Sequence, residues 1–277
     1  MTQPGLLTGL AGGTAPLLEE DDPRLGQMLD RTGRDPSGLL ELLAAPRSHK
    51  VGIAFEALVH WGIECGLGHT VLGRDVQIQS ERRTVGALDV VLRRDDGIVE
   101  HWELAYKLFL QSRPAVEWSS WLGPGERDRL DTKVNRMRNH QSPLSGRTVA
   151  KPALETLGVI DEPVRRVVLQ GVLFTPWTAP VARAQGARSD AAGRWVREGD
   201  LSHVMKQWPE SRWVRRLKPL WFGPWVGPAH DICSASERLK HLKEPVRRAQ
   251  LWSVWGAGQD TEQLWFVVPQ QWGSRAR

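Results

Sequence analysis

The sequence predicts an α/β fold, in which helices flank a mixed β-sheet and a Trp-rich C-terminal elaboration follows. Two observations predict this fold. Two amphipathic helices enclose a run of three strands, and a near-continuous β-branched run, RRVVLQGVLF at 165–174, follows the second helix. Such a run is typical of a strand buried on both faces, in a central or parallel position of a sheet. The order α, β, β, β, α, β therefore favours one mixed sheet covered by helices.

The length and composition allow one large domain or two small ones, since 40% of the 277 residues are hydrophobic. We expect three segments: a helical and loop extension at 1–48, a core at 49–175, and a C-terminal extension at 176–277 packed on the same domain. The net charge of +5 permits a polyanionic partner without requiring one.

Two cysteines, far apart in sequence, indicate reduced thiols in a cytoplasmic protein and no disulfide framework. No apolar run is long enough to span a membrane, and the N-terminal stretch lacks the basic region of a signal peptide. The oligomeric state stays open.

The first predicted core helix follows Ser48, which would cap it, and ends at Gly66 and Gly68. Its apolar positions recur at helical spacing: Val51, Phe55, Leu58, Val59 and Ile63. A carboxylate, Glu56, lies beside this apolar stripe. The segment RDVQIQ at 74–79 then reads as a strand, and the polar segment SERRT at 80–84 reads as a turn.

Two further strands are predicted in GALDVVLRRDDGIVEHWELAYKLFL, residues 86–110. A three-residue loop, Asp95–Gly97, with glycine in the left-handed position, would close this hairpin and set Asp89 directly opposite Glu103. Cross-strand neighbours of this kind have Cβ atoms roughly 4.5–5.5 Å apart. A two-residue loop would instead make the two carboxylates diagonal neighbours.

Strand alternation places Glu103, Ala105 and Lys107 on one face of the second strand. Two apposed carboxylates repel each other unless a positive charge lies between them, and their oxygens suit a hard cation such as Mg²⁺ or Mn²⁺. The adjacent amine would orient a water or neutralise a phosphate. The simpler alternative is a solvated ion-pair cluster in which Lys107 bonds Glu103 or Asp89.

The helix with Glu56, the strand with Asp89, the strand with Glu103 and Lys107, and the following helix and strand resemble the PD-(D/E)XK nucleases, the restriction-endonuclease-like superfamily. The likeness covers roughly residues 49–175. The same stretches also resemble an uncharacterised bacterial family filed as a domain of unknown function and thought to be nuclease-like.

The resemblance implies a phosphodiesterase dependent on Mg²⁺ (or Mn²⁺) that cleaves nucleic acid, DNA in preference to RNA. By resemblance, Asp89 and Glu103 are metal ligands, Glu56 is an accessory ligand, and Lys107 is the catalytic lysine. The usual pattern places this lysine two residues after the acidic residue, where this chain has Ala105. His101, on the Glu103 face, is interpreted as a hydrogen-bonded neighbour of the site.

A basic stripe follows on the second predicted helix, GPGERDRLDTKVNRMRNHQSP at 123–143, which would open after Gly125. Its members share one helix face: Arg129, Lys133, Arg136 and His140. The stripe fits a surface that follows a nucleic-acid backbone, and it fits an ordinary solvated face equally well.

The segment SRWVRRLKPLWFGPW at 211–225 interleaves arginine with tryptophan, and we interpret its tryptophans as core residues rather than as stacking platforms for bases. Two alternatives to a nuclease stay open. One is a non-catalytic nucleic-acid-binding or scaffold protein that keeps the fold, and the other is an interaction module whose Trp-rich part docks a protein.

Overall fold

A computed structural model describes residues 23–44, 50–81, 83–187, 189–240 and 245–274. The predicted cap Ser48 lies outside the described residues. The α-helices of the described residues are α1 Pro23–Arg34, α2 Ser37–Ala44, α3 Val51–Trp61, α4 Leu130–Arg136, α5 Lys151–Thr156, α6 Glu198–Gln207 and α7 Ala235–Lys240. Two π-helical segments, Gly62–Leu67 and Met137–Gln141, continue α3 and α4. In the described part of the chain, no helix is long and apolar enough to cross a membrane.

The described strands are β1 Thr70–Ser80, β2 Arg83–Arg93, β3 Val99–Gln111, β4 Trp121–Leu122, β5 Val164–Pro176, β6 Gly193–Arg197, β7 Arg212–Arg216, β8 Cys233–Ser234, β9 Gln250–Trp255 and β10 Gln263–Val268. They form a ten-stranded sheet in the order β1-β2-β3-β5-β6-β10-β9-β7-β8, with β4 paired to β3. Both parallel and antiparallel pairs occur. The predicted α/β fold with a mixed sheet is therefore confirmed.

The chain divides into two compact units. The first comprises the described residues up to Tyr106 together with Lys133–Gln170, and the second comprises Lys107–Thr132 together with the described residues from Gly171 onward. These units divide the chain differently from the three predicted segments, because each is assembled from two separate stretches of sequence.

The hairpin of the first unit has the predicted three-residue turn. The amide of Arg94 donates to the carbonyl of Ile98 at 2.8 Å, and Gly97 adopts a φ of 85°. The β2–β3 ladder pairs Arg93 with Val99 and continues to the pair Val90 and Trp102. This register was the one predicted for a three-residue loop.

The core of the first unit lies where β1 and β2 meet the helical turns after residue 141. Its buried members are Ile78, Leu88, Val91, Leu144, Ala150, Leu154 and Val159. Helix α3 buries Phe55 and Val59, and its π-helical continuation ends at Gly68, which has the left-handed conformation that glycine tolerates.

Strand β5 is largely buried from Val167 onward, and β6 pairs with it in parallel. Both properties agree with the prediction from the β-branched run.

The second unit has an aromatic core. Trp213 is fully buried and contacts Trp265 edge to face, and Trp221 is 8% exposed. Their indole N–H groups donate to the Ser211 hydroxyl at 2.8 Å and to the Arg216 carbonyl at 3.0 Å. The interpretation of these two tryptophans as core residues is confirmed.

The predicted start of the second helix is wrong. The helix begins at Leu130, because the preceding residues form a tight turn in which the Gly123 amide donates to the Asp128 carbonyl and Glu126 has a φ of 61°. Arg129 lies before the helix and forms an isolated bridge with Leu122. Arg129 is therefore not on the helix face assigned to it.

Candidate active site

Asp89 and Glu103 lie at the point where the β2–β3 ladder ends. The ladder runs to Val90 and Trp102, so one further step along the same register sets Asp89 opposite Glu103. Here Asp89 Oδ2 accepts a hydrogen bond of 2.7 Å from the Leu104 amide. The carboxylate thus takes a place that a backbone carbonyl occupies elsewhere in the ladder. We call Asp89 and Glu103 the carboxyl pair.

Glu103 is fully buried, and hydrogen bonds hold both of its oxygens. Gln141 Nε2 donates to Oε2 at 2.8 Å, and His101 Nε2 lies 3.1 Å from Oε1. The other ring nitrogen of His101 lies 3.0 Å from the Ser145 hydroxyl. Burial lowers the pKa of His101 to about 4, so the ring is neutral. Its Nε2–H then donates to Glu103 while Nδ1 accepts from Ser145, as predicted for a neighbour of the site.

The two carboxyl groups lie close enough for each to influence the ionisation of the other, and both are hard to ionise. Burial raises the pKa of Glu103 to about 7, against the opposing influence of Lys133 and of Asp89. Burial, followed by the charge of Glu103, raises the pKa of Asp89 to about 6. The pair therefore gives up its last proton only near neutral pH unless a further positive charge is supplied.

Glu56 comes to the same region from α3. It is half-buried, and burial, followed by the charges of Asp89 and Asp75, raises its pKa to about 7. Asp75 was missed in the sequence. It lies on β1 between Arg74, which pairs with Val90, and Val76, and it has a φ of 47°. Pairing β1 with β2 in the sequence would have found it opposite Asp89.

Lys133 supplies positive charge beside the carboxyl pair in the first unit. Its ammonium donates to Gln141 Oε1 at 3.1 Å. Burial raises the pKa values of Glu56, Asp89 and Glu103, and the positive charge of Lys133 lowers each of them by a smaller amount. Sequence reasoning assigned Lys133 to nucleic-acid binding and missed Gln141 entirely, since a neutral amide carries no charge pattern.

Lys107 lies in the second unit. Its ammonium donates to Asp128 Oδ2 at 2.9 Å, with 31% of the lysine side chain and 57% of the aspartate side chain exposed. Asp128 is the partner seen for this lysine, rather than the Glu103 or Asp89 considered from the sequence.

Two members of the basic stripe, Arg129 and His140, lie outside the α-helix predicted to carry them. Arg129 pairs with Asp131, and this pairing lowers the pKa of the aspartate. Arg136 and His140 are exposed in the first unit, but His140 lies in the π-helical segment, where the rotation per residue differs from that of an α-helix.

The carboxyl pair fits a hard divalent cation for two reasons. Its ligand atoms are carboxylate oxygens, and the neighbouring cations supply too little positive charge to offset both carboxylates. Among the residues the structure describes, no three His, Cys, Asp or Glu side chains form a group that could hold a metal ion. Two carboxylates suffice for Mg²⁺, which usually keeps several waters and takes further ligands from substrate phosphates.

The fold and the site define an α/β protein with a carboxyl pair between neighbouring strands of a mixed sheet. The model of a domain of unknown function, DUF1853, matches residues 1–255, so the chain belongs to that family. Comparisons with curated proteins and with solved structures gave no match.

Proposed function

We propose that this protein is a metal-dependent phosphodiesterase of the PD-(D/E)XK nuclease type that cleaves nucleic acid, DNA in preference to RNA. The observation that carries the proposal is the carboxyl pair. Asp89 and Glu103 lie opposite each other on neighbouring strands, Glu103 is fully buried, and the charge of Asp89 raises the pKa of Glu56.

The free-energy cost of burying two neighbouring carboxylates supports a functional role for the carboxyl pair. A carboxylate with no exposed surface loses its hydration, and a second carboxylate beside it adds repulsion. Hydrogen bonds from His101 and Gln141 compensate only in part, since the pKa of Glu103 stays near 7. A fold that needed only stability would place an apolar pair here.

The residues that would hold Mg²⁺ or Mn²⁺ are Asp89 and Glu103, with Glu56 as an accessory ligand. When bound, the ion would act as a Lewis acid toward the phosphate and lower the pKa of a coordinated water. His101 and Gln141 would keep Glu103 in a fixed orientation, as outer hydrogen-bond partners do for ligating groups. The Leu104 amide does the same for Asp89.

Hydrolysis would proceed by attack of water in line with the leaving group. A bond forms between the water oxygen and phosphorus, and the bond from phosphorus to the leaving sugar oxygen breaks. The proton of the attacking water passes to solvent, since Glu56 is assigned as a ligand of the ion. The leaving oxygen takes a proton from solvent.

A non-catalytic nucleic-acid-binding or scaffold protein is the second candidate. Two observations favour it: Ala105 occupies the usual position of the catalytic lysine, and Lys107 pairs with Asp128. Such a protein would bind nucleic acid in the presence of a chelator, whereas the nuclease requires a divalent ion.

The first experiment is calorimetric titration of Mn²⁺ into wild type, Asp89→Asn and Glu155→Gln. Glu155 is an exposed carboxylate on α5, so its substitution removes the same charge without touching the carboxyl pair. We expect saturable binding to wild type and to Glu155→Gln, and none to Asp89→Asn. Equal behaviour of all three proteins up to low-millimolar metal would refute the proposed metal site.

A cleavage assay with supercoiled plasmid and single-stranded circular DNA follows. Cleavage that requires Mn²⁺ and is lost in Glu103→Gln supports the nuclease. Chelator-resistant binding without cleavage supports the non-catalytic candidate.

A further inference from the structure

We propose that Lys133, held in place by Gln141, supplies the catalytic cation at the carboxyl pair, and that Lys107 does not. This assignment rests on the proposed function. It identifies the side chain that would contact the phosphate or the attacking water, and it departs from the lysine position that the sequence pattern suggests.

The contacts of Gln141 connect the lysine to the carboxyl pair. Its Oε1 accepts from the Lys133 ammonium at 3.1 Å, and its Nε2 donates to Glu103 Oε2 at 2.8 Å. An amide has one acceptor end and one donor end, so this single orientation satisfies both neighbours. The ammonium is thereby kept two hydrogen bonds away from Glu103.

The geometry of the helix explains why residues eight positions apart meet. In an α-helix, eight residues turn through about 80° beyond two full turns. Lys133 is in α4, whereas Gln141 ends the π-helical segment that begins at Met137. A π-helix has roughly 4.4 residues per turn, so it rotates less per residue and brings the two side chains close to one line.

The charges agree with this placement. The positive charge of Lys133 lowers the pKa of Glu56, of Asp89 and of Glu103. Lys107 is held instead by Asp128, at 2.9 Å.

A fixed ammonium at this point suits phosphodiester hydrolysis. In phosphoryl transfer, catalysis depends mainly on positioning and on cations that offset the charge developing on the phosphate oxygens. Gln141 would act as a positioning residue, because it touches the lysine and the carboxylate rather than the substrate.

The test compares Lys133→Met, Lys107→Met and the exposed control Lys151→Met. Single-turnover cleavage of plasmid and of single-stranded circular DNA is measured in saturating Mn²⁺, and calorimetry measures Mn²⁺ affinity for each protein. We expect Lys133→Met to lose at least 100-fold in the cleavage rate while it still binds Mn²⁺ saturably. Lys107→Met and Lys151→Met should stay within threefold of wild type, and Lys133→Arg should keep more activity than Lys133→Met.

A loss in Lys107→Met as large as that in Lys133→Met, or an active Lys133→Met, overturns the assignment and leaves the nuclease proposal standing. Abolished Mn²⁺ binding in Lys133→Met also overturns it, because the lysine would then be structural. A wild type that binds no Mn²⁺, or that cleaves neither DNA, overturns the proposed function and the assignment with it. The wild-type result therefore separates the two failures.

Discussion

Asp89 makes the metal-free protein less stable as the pH rises. Its folded pKa of about 6 lies above the ordinary value of 3.8, so folding favours the protonated form. The resulting contribution to stability is fully present below pH 4 and is lost as the pH rises through about 6. The same sign holds for Glu103 and Glu56, whose pKa values are raised to about 7.

Asp89→Asn should therefore stabilise the metal-free protein at pH 8. An asparagine keeps an oxygen that can accept from the Leu104 amide and removes the charge that folding disfavours. We expect a melting temperature a few degrees above wild type at pH 8, since about 1 kcal/mol shifts the melting temperature of a domain of 150–250 residues by roughly 2–4 °C. The difference should be much smaller at pH 4.5, where Asp89 is protonated in the folded protein. Thermal unfolding monitored by circular dichroism at both pH values measures this.

Glu155→Gln serves as the control, because this exposed carboxylate lies on the same unit and away from the carboxyl pair. Its melting temperature should follow that of wild type at both pH values. An Asp89→Asn protein that melts below wild type at pH 8 would contradict the view that the carboxyl pair reduces stability.

At the scale of single residues, the sequence predicted the carboxyl pair but not the side chains that surround it. The turn residues Asp95–Gly97 determine the register, so the apposition of Asp89 and Glu103 could be counted from the loop. Gln141 could not be found in this way, since a neutral amide is as common on solvated helix faces as in sites. The partner of Lys107, Asp128, is 21 residues away in a turn that no periodicity predicts.

Among the elements, β5 depends on a glycine. Gly171 has a φ of 151°, and a Cβ atom there would lie 1.6 Å from the Lys107 carbonyl oxygen. The obstacle is backbone, so no side-chain rotation can relieve it. Gly171→Ala should therefore cost at least about 3 kcal/mol of the free energy of unfolding, in the range of severe core substitutions. Urea denaturation measures this value.

The matched substitution is Gly158→Ala. Gly158 also has a positive φ, 70°, but nothing lies within 4 Å of a Cβ atom built there. Only the left-handed backbone penalty of about 1–2 kcal/mol applies. Equal costs at the two glycines would show that the strand can shift to accommodate a methyl group at Gly171.

The π-helical segment Met137–Gln141 is the element that completes the site. Gln141→Leu keeps a similar volume and removes both hydrogen bonds, to Lys133 and to Glu103. If the protein is the proposed nuclease, we expect the cleavage rate to fall about tenfold or more, because misplaced catalytic groups lose much of their effect. Asn139→Ala, at an exposed position in the same segment whose backbone carbonyl bonds Arg147, should leave the rate unchanged. An unchanged rate in Gln141→Leu would show that the amide has no positioning role.

Hydrophobic periodicity predicted a helix where α4 and its π-helical continuation lie, but it did not predict which way the later side chains point. Leu130, Val134 and Met137 are fully buried, as their spacing indicates. The switch to π geometry at Met137 leaves that apolar pattern intact while it changes the direction of every later side chain. A face drawn at α-helical spacing through His140 was therefore unreliable.

For the molecule as a whole, the sequence predicted the class of fold and the order of its elements. The β-branched run at 165–174 marked β5. The division into two units was not predictable, because each unit joins segments that are distant in sequence. Composition gives totals for the whole chain, such as the net charge of +5, and does not show where the charges lie.

That net charge alone does not define a nucleic-acid surface, and a salt titration separates general attraction from a local contact. The apparent affinity for duplex DNA should fall with salt, since each phosphate neutralised releases counterions. Arg136 is exposed, and its positive charge lowers the pKa of Glu103, so it lies near the carboxyl pair. If DNA binds across this region, Arg136→Gln should reduce the slope of log K against log salt by about 1. Fluorescence anisotropy with Ca²⁺ in place of Mg²⁺ measures the slope.

Arg183→Gln removes the same charge from an exposed arginine paired with Asp190, and it should leave the slope unchanged. Equal slopes for the two variants would mean that Arg136 contacts no phosphate and that the DNA binds elsewhere on the protein.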